Sequence, residues 1–319
     1  MKARRRITIS SLGLSPYRTF GGQPVPHGAD AVDAMKKHWQ QWLDVVLPDK
    51  PDLIVVPEAC DRFPEHSLEE RLAYYSYRGD QMRDFFADAA KKNNCYIAYS
   101  AARKLEDGTY RNSTQLLDRS GNIAGIYNKN HVVPAETTKG GILAGKDAPV
   151  IETDFGRVCM AICFDLNFHE LLEKYAVQRP DLIIFSSMYH GGLMQGYWAY
   201  HCRSYFVGSI AGTQNNIINP LGDTVAHSTN YYPWVSSSVN LDYQVVHLDE
   251  NWGKLHALRQ KYGPLVNVYD PGYVGAVLVS SDHESVTSED MIKEFDMELW
   301  DHYYDRSMQH RHTPGNMEP

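Results

Sequence analysis

Cys163 ends the apolar run 157–163, RVCMAIC, and is followed by the polar and aromatic stretch FDLNFHE. The run is typical of a buried β-strand, and side chains at the ends of strands in α/β sheets emerge into a crevice. A thiol there could attack a substrate, and the backbone N–H groups that follow it could bind an oxyanion. The alternative is a buried structural cysteine, which is the usual state of a free thiol.

Two other ionisable residues also end strand-like runs. Glu58 ends LIVVPE, where an unpaired carboxylate would be costly to desolvate, so we expect either an active-site role or a structural ion pair. Lys129 ends the run GIYNK, although lysines in such positions are usually solvated. Glu136 follows in PAETTKGG, a loop that could fold back over a site. The three strand-end residues would supply a base, a cation and a nucleophile.

Strand and helix signals alternate along the chain, which is typical of a mixed α/β architecture. Apolar residues at helical spacing predict helices over 30–47, 80–93 and 168–179. Residues 113–129 resemble a hairpin with its turn at 120–122. Continuous apolar runs predict strands at 7–14, 52–58, 95–101, 157–163, 181–187, 204–212 and 274–280, with further β structure at 215–223.

No Ser/Gly-rich linker divides the chain, so the sequence predicts one domain over residues 1–280, with helices covering two packed sheets. Residues 281–319 are charged and aromatic, with Met291, Phe295 and Leu299 at helical spacing. We expect this segment to be a helical tail that packs on the domain or on a partner subunit.

Charge and composition exclude several function classes. The net charge of -8 argues against a nucleic-acid partner. No apolar run approaches the roughly 18 residues of a membrane span, and the N-terminus lacks a signal-peptide pattern. Five cysteines are an odd number and do not suggest a disulfide framework. We therefore expect a cytoplasmic protein, and we interpret the glycosylation sequon at Asn112 as chance.

The sequence also argues against metals and cofactors. HELLE at 169–173 lacks the second histidine of a zinc helix, and Cys159 and Cys163 have no further ligands at suitable spacing. No glycine-rich phosphate-binding loop follows a strand, and GxSxG is absent. We expect no metal and no cofactor.

Taken together, three motifs resemble the nitrilase superfamily, the carbon–nitrogen hydrolases. They are DLIVVPEA around Glu58, YNKNHVV around Lys129 and VCMAICFDLNFHE around Cys163, and their order and intervals are similar to those of the family. The resemblance covers nearly the whole chain to about residue 280. It implies a four-layer α-β-β-α sandwich and a homodimer or larger homo-oligomer.

The resemblance also implies roles for the site residues. Cys163 would be the nucleophile, Glu58 the general base and Lys129 the cation that stabilises the tetrahedral oxyanion, helped by the backbone N–H of Phe164. Glu136 is the best match for a second glutamate that positions the substrate. These roles make chemical sense, because a thiol with a pKa of about 8.5 is only slightly ionised at neutral pH and needs a nearby base or cation.

The residues after Cys163 favour one kind of substrate. Nitrilases usually carry tryptophan and then glutamate there, whereas Phe164 and Asp165 are closer to the amidase and carbamoylase branches; His169 departs from the proline often found at its position. We therefore predict hydrolysis of a small linear amide or N-carbamoyl compound with release of ammonia. A nitrilase, a non-catalytic scaffold and a glutaminase domain of a synthetase are the alternatives.

The substrate pocket is expected beside the three motifs. In the segment after the strand 181–187, Arg203 is the charged residue that stands out as a candidate to bind a substrate carboxylate. The alternative is that Arg203 forms an ion pair inside the sandwich. Candidate walls are aromatic or polar residues near the motifs: Tyr127, Phe164, Asn167, Tyr189, His190 and Trp198. The alternative is that they are ordinary surface residues.

Overall fold

The computed structural model describes residues 6–19 and 24–318. The chain forms two compact units, Met1–Val239 and Asn240–Pro319. This division differs from the predicted boundary near residue 280, because the strand Ala276–Ser281 pairs with strands of the second unit on both of its sides. The predicted domains also include residues 1–5, 20–23 and 319, which lie outside the described residues.

The first unit contains two six-stranded sheets. One has the order β12-β1-β2-β3-β4-β5 and the other the order β11-β10-β9-β8-β7-β6. The strands are β1 Arg6–Leu12, β2 Leu53–Val55, β3 Tyr96–Lys104, β4 Tyr110–Leu117, β5 Ile123–Asn128, β6 Val150–Glu152, β7 Arg157–Ile162, β8 Leu182–Ser187, β9 Tyr205–Ile210, β10 Asn216–Ile218, β11 Thr224–His227 and β12 Trp234–Asn240. β1, β2 and β3 are parallel to one another, as are β7, β8 and β9, while the outer pairings described are antiparallel.

Helices flank both sheets of this unit. They are α1 Gly28–Val46, α2 Leu68–Arg78, α3 Gln81–Asn93, α4 Pro134–Thr138, α5 His169–Gln178 and α6 Leu193–Cys202. α1 buries Val32, Met35, Trp39 and Leu43 in one apolar cluster with residues of the first sheet, as its helical spacing predicts. On the second sheet, the buried Tyr175 of α5 donates its hydroxyl to the carbonyl of Met160 at 2.7 Å.

The two sheets face each other through short side chains. Ser186 in β8 donates to the carbonyl of Val56 at 2.9 Å, and Ser11 in β1 donates to the carbonyl of Gly208 at 2.9 Å. Both hydrogen bonds are buried, so these hydroxyl groups are satisfied across the interface between the sheets. Two sheets flanked by helices confirm the predicted α-β-β-α architecture.

Helix α2 is absent from the helices predicted above, yet its start is well specified. The hydroxyl of Ser67 accepts the N–H of Glu70 at 3.2 Å, and the carboxylate of Glu70 accepts the N–H of Ser67 at 2.7 Å. This reciprocal capping box satisfies two backbone donors that a helix start otherwise leaves without partners. It fixes the helix that supplies one wall of the cavity described below.

The second unit is an antiparallel three-stranded sheet with helices. Its elements are β13 Tyr243–His247, α7 Trp252–Tyr262, β14 Val266–Tyr269, β15 Ala276–Ser281, α8 Ser288–Glu294 and α9 Trp300–Arg311. β15 lies between β13 and β14. Apolar side chains of the sheet, α7 and α8 form its core, among them Val246, Leu258, Val279 and Met291. Residues 281–318 contain the helices α8 and α9.

Candidate active site

Strand direction brings the candidate residues together. β2 and β3 are parallel, and two antiparallel pairings later β5 points the same way as β2. Glu58 follows the end of β2 and Lys129 follows the end of β5, so both lie at the same edge of the first sheet. In the second sheet Cys163 follows β7 and Met188 follows the parallel β8. The carboxyl ends of parallel strands thus converge, as in other open α/β sheets.

Cys163 lies at a sharp turn between β7 and a 3-10 helix, Cys163–Asn167. Its φ is +51°, in the left-handed region that a residue with a side chain rarely adopts. Ala59, directly after Glu58, has a φ of +49°. Strained backbone of this kind persists only where the surroundings impose it, and it concentrates at functional sites. Among the five cysteines only Cys163 is partly exposed; the others are buried.

A buried lysine lies between two carboxylates. The ammonium Nζ of Lys129 donates to Glu58 Oε1 at 2.9 Å and to Glu136 Oε2 at 2.8 Å. The side chain of Lys129 is 1% exposed, so these contacts replace water almost completely. The backbone N–H groups of Met188 and Val133 donate to Glu58 Oε2 at 3.0 Å and Glu136 Oε2 at 2.9 Å. We call Glu58, Lys129 and Glu136 the lysine cluster.

Asn112 completes this arrangement, and no motif in the sequence pointed to it. Its side-chain amide donates to Glu58 Oε1 at 2.7 Å and to Glu136 Oε1 at 2.9 Å. Asn112 is 5% exposed, so its side-chain amide lies inside the site. A possible signal was available: Asn112 lies in the hairpin that also leads to Lys129, and its carbonyl accepts the N–H of Lys129 at 2.8 Å.

The surroundings keep both the thiol of Cys163 and the ammonium of Lys129 protonated. Burial raises the pKa of Cys163 from its ordinary value near 9 to about 12; the charge of Glu58 adds to the rise, and Lys129 opposes it. Burial alone would lower the pKa of Lys129, but the negative charges of Glu58, of Cys163 when it is ionised, and of Glu136 outweigh it and raise the pKa. At neutral pH the resting site therefore holds a neutral thiol beside a charged ammonium.

This raised pKa predicts an unusual alkylation profile. Iodoacetamide reacts with thiolates, so the alkylation rate of Cys163 should keep rising with pH beyond pH 9, without the plateau of an ordinary thiol. The measurement is peptide mass spectrometry of timed samples, with glutathione as the reference thiol, over the pH range in which the fold stays intact. A plateau at the same pH as that of glutathione would contradict a raised pKa of the Cys163 thiol.

Asp165 is buried beside Cys163 and binds two segments of the chain. Its carboxylate accepts the hydroxyl of Tyr127 at 2.7 Å and the backbone N–H groups of Ile162 at 3.0 Å and His131 at 2.8 Å. The ring of His131, with Nδ1 2.9 Å from the same carboxylate, stacks on Phe168 at 3.8 Å. Asp165 therefore ties the chain that leaves Lys129 to the turn that carries Cys163.

A cavity of about 460 Å³ opens onto these groups, a size suited to a small molecule. Its lining includes the lysine cluster, Asn112, Cys163 and Met188, together with a wall from residues 59–75. The wall consists of Ala59, Arg62, Leu68, Arg71, Leu72 and Tyr75. The remaining lining residues are Ala102, Val133, Ala135, Lys139, Gly140 and Ile142. The structure thus brings Glu58, Lys129, Cys163 and Glu136 to one cavity.

The predicted aromatic walls lie elsewhere. Tyr127 and Trp198 are fully buried, with their polar atoms bonded to Asp165 and to the carbonyl of Leu166, and neither lines the cavity. Their rings fill the interior because each polar atom finds an internal partner.

The remaining expected walls do not line the cavity described above. Asn167 donates to the hydroxyl of Tyr189 at 3.1 Å, and His190 Nδ1 accepts the N–H of Gly192 at 3.2 Å. The guanidinium of Arg203 lies 4.5 Å from the ring of Tyr200. The backbone N–H of Phe164 is near the start of the 3-10 helix, where N–H groups have no partner within the helix, and its oxyanion role stays a prediction.

Within the described residues, no three or more His, Cys, Asp or Glu side chains are grouped so that they could hold a metal ion. None of the helices described is both long and apolar enough to cross a membrane.

A sequence profile of the carbon-nitrogen hydrolases matches residues 25–234, more than half of the chain. The chain belongs to the carbon-nitrogen hydrolase family. The matched region contains Glu58, Lys129, Glu136 and Cys163, so the cavity lies within the part of the chain that defines the family. This confirms the resemblance to the nitrilase superfamily.

Other carbon-nitrogen hydrolases are similar over part of the chain. A probable hydrolase of Bacillus subtilis, YhcX, is 31% identical over 46% of this chain and 29% of its own length. A probable nitrilase of Schizosaccharomyces pombe is 29% identical over 52% of this chain and 61% of its length. The human omega-amidase NIT2 is 23% identical over 66% of this chain and 78% of its length. The chain thus spans less than two thirds of the first two relatives.

Two solved carbon-nitrogen hydrolase structures share the fold. Nit3 of Saccharomyces cerevisiae, described as a member of branch 10 of the nitrilase superfamily, has a TM-score of 0.63 at 15% identity and covers 83% of this chain and 97% of its own. A mutant amidase of Nesterenkonia sp. has a TM-score of 0.58 at 13% identity over 75% of this chain and 92% of its own. It shows covalent addition of the acetamide moiety of fluoroacetamide at its active site cysteine.

Proposed function

We propose that this carbon-nitrogen hydrolase cleaves a small linear amide or N-carbamoyl compound through an acyl-enzyme on Cys163 and releases ammonia. One observation carries the proposal: the ammonium of Lys129 is held between Glu58 and Glu136 in the cavity that also exposes Cys163. The cavity thereby offers a nucleophile, a base and a cation to one bound molecule.

In the acylation step, the sulfur of Cys163 forms a bond to the carbonyl carbon while Glu58 takes the thiol proton. The raised pKa of the thiol makes this base necessary, because little thiolate exists beforehand. The carbonyl π electrons move to oxygen, which becomes the oxyanion. Glu58 then passes the proton to the amide nitrogen, the C–N bond breaks with its electron pair on nitrogen, and ammonia leaves behind a thioester.

Lys129 is suited to the oxyanion. An ammonium has three N–H donors, and in the described structure two of them are directed to Glu58 and Glu136. The third remains for the substrate oxygen, and the backbone N–H of Phe164 is the second donor in the proposal. Because the two carboxylates already fix the ammonium, little reorganisation is needed when the oxyanion forms.

In the deacylation step, Glu58 takes a proton from water, whose oxygen attacks the thioester carbon. The C–S bond then breaks, the proton returns to sulfur, and the carboxylic acid product leaves. Glu136 and Asn112 keep Lys129 and Glu58 in place during both steps, since each contacts the same pair of groups. Glu58 is thus the base in both steps of the proposed reaction.

The support for an amide rather than a nitrile comes from two sources. Phe164 and Asp165 follow the nucleophile, as in the amidase and carbamoylase branches. An omega-amidase and an amidase are among the similar proteins. The complete set of reactive groups around an open cavity favours an enzyme over a scaffold of the same fold.

The test uses the Glu58→Gln variant. Glutamine keeps the size of the side chain but cannot accept a proton, so both steps should slow. Deacylation should slow more, because water is a far weaker acid than the thiol and needs the base more, so an acyl adduct should accumulate on Cys163. Intact-protein mass spectrometry, followed by peptide mapping, detects the adduct during incubation with a panel of amides, N-carbamoyl amino acids and nitriles. Ammonia release by the wild type over the same panel selects the substrate class.

The matched control is Glu65→Gln, which neutralises an exposed glutamate outside the cavity lining. It should turn over without accumulating an adduct. An adduct on Cys60 or Cys159 instead of Cys163 would refute the proposed nucleophile.

A further inference from the structure

We propose that the substrate carries a carboxylate at the end remote from the scissile amide, and that Arg62 and Arg71 bind it. This inference rests on the proposed function and names its substrate class. Both arginines line the cavity that contains Cys163. Arg62 lies in the turn that follows Glu58, and Arg71 lies on α2. The wall of residues 59–75 thus brings two guanidinium groups to the cavity.

The face of α2 that lines the cavity has regular spacing. Leu68, Arg71, Leu72 and Tyr75 are at positions i, i+3, i+4 and i+7, which lie on one side of a helix. Arg71 is therefore directed to the cavity by the helix itself. The capping box at Ser67 fixes where that helix begins.

Both guanidinium groups lack a charged partner. Arg62 and Arg71 are half-buried, and the Nε atom of each is buried without a hydrogen-bond partner. Neither forms an ion pair with any carboxylate among residues 6–19 and 24–318. Arg71 Nη2 makes only a long contact, 3.4 Å, to the carbonyl of His66. The Nε atom of Arg78 is also buried without a partner, so what distinguishes Arg62 and Arg71 is that no carboxylate pairs with their guanidinium groups. A half-buried guanidinium on a cavity wall without such a partner is suited to an anionic ligand.

Arg78, on the same helix, shows what a structural arginine looks like in this protein. Its guanidinium donates to the carboxylate of Asp61, to the hydroxyl of Tyr99 at 2.8 Å and to the carbonyl of Ala102. It does not line the cavity. Asp61 is thereby committed to Arg78, so the carboxylate next to Arg62 in sequence is not its partner.

The charges of the cavity orient such a substrate. The acidic lining residues are Glu58 and Glu136, and both are paired with Lys129. Arg62, Arg71 and the exposed Lys139 remain as cations without an acidic partner on the wall. A carboxylate is repelled by the two glutamates beside Cys163 and attracted by the arginines. Its amide end is therefore the end that reaches the thiol.

The rest of the lining suits a hydrocarbon spacer between these ends. It is mostly apolar, with Leu68, Leu72, Tyr75, Ala102, Val133 and Ile142. The planar fork of a guanidinium group matches a carboxylate through two parallel hydrogen bonds, which a neutral amide or ester cannot equal. The chemistry of the cavity thus favours the monoamide of an aliphatic dicarboxylic acid.

The experiment compares straight-chain dicarboxylic acid monoamides of increasing length with their methyl esters, which lack the negative charge and carry one additional methyl group. The wild type should prefer the best acid over its ester by at least about tenfold in kcat/KM. In Arg62→Gln and Arg71→Gln this ratio should fall, and in the double variant it should approach one. Arg83→Gln, which removes an arginine paired with Asp80 and Asp84 outside the cavity, should keep the ratio.

A binding measurement separates this inference from the proposed function. Calorimetric titration of Cys163→Ala with the best monoamide should show binding, and adding both arginine substitutions should weaken it at least about tenfold. Equal binding by both proteins, no binding by either, or a wild-type ratio near one would overturn the carboxylate site. Undiminished ammonia release by Cys163→Ala would instead overturn the proposed function, and the titration would still judge the arginines.

Discussion

Replacing Cys163 with alanine is expected to lower the rate of ammonia release by at least about 10⁴-fold, the scale seen when a catalytic nucleophile is removed. The reason is that no other thiol is exposed: the four remaining cysteines are buried. The fold should survive, because alanine meets the same left-handed backbone conformation as cysteine and fills less space. Ammonia release and thermal unfolding of the same samples measure both expectations.

Cys202→Ala is the matched control, since Cys202 is buried in α6 and does not line the cavity. It should keep its turnover even if its melting temperature falls slightly. Turnover by Cys163→Ala that stays above about one per cent of wild type would sink the nucleophile assignment, given the size of the loss expected.

Replacing Lys129 with methionine is expected to reduce both activity and stability. The substitution leaves Glu58 and Glu136 in a buried site without their cation, and removing one partner of a buried ion pair typically costs about 3–5 kcal/mol. It also removes the donor proposed for the oxyanion, which is worth about 10²–10³ in kcat in comparable sites. Denaturant unfolding and steady-state kinetics measure the two effects separately.

Lys174→Met provides the comparison, because Lys174 pairs with Glu170 at 2.7 Å on the exposed face of α5. An exposed pair contributes at most about 1 kcal/mol. If Lys129→Met were no less stable than Lys174→Met, the lysine cluster would not be an ionised, paired arrangement. Adding Glu136→Gln to Lys129→Met should restore part of the stability, because it removes one of the two carboxylate charges that Lys129→Met leaves without a cation.

The cavity residues that directly follow a strand could be predicted from the sequence. Glu58, Lys129 and Cys163 all come after strands that point the same way within their sheets, so sequence position already indicated the edge at which they lie. Asn112 lies inside the hairpin strand β4, where its role depends on the register with its neighbours. That register is fixed by pairing, for example Asn112 opposite Ala102, and no short motif encodes it.

The walls of the cavity could not be predicted in the same way. Tyr127 and Trp198 are aromatic and close to the motifs, yet internal hydrogen-bond partners placed them inside the protein. Arg62 and Arg71 border the cavity because α2 begins at a capping box, and α2 was not among the predicted helices. For the two aromatic residues, tertiary partners rather than residue type decide which side chains a substrate meets. For α2 the signal was local, the S-x-x-E pattern at residues 67–70.

The position of Lys129 between two carboxylates has a consequence for how charge moves during the proposed reaction. At rest the lysine cluster carries two negative charges and one positive charge. When Glu58 takes the thiol proton, its negative charge disappears and a new one arises on the substrate oxygen, still beside the same ammonium. The attack therefore relocates a charge without creating or destroying one. The protein's fixed dipoles then need to respond only to a short displacement, and the chemical step should depend little on ionic strength.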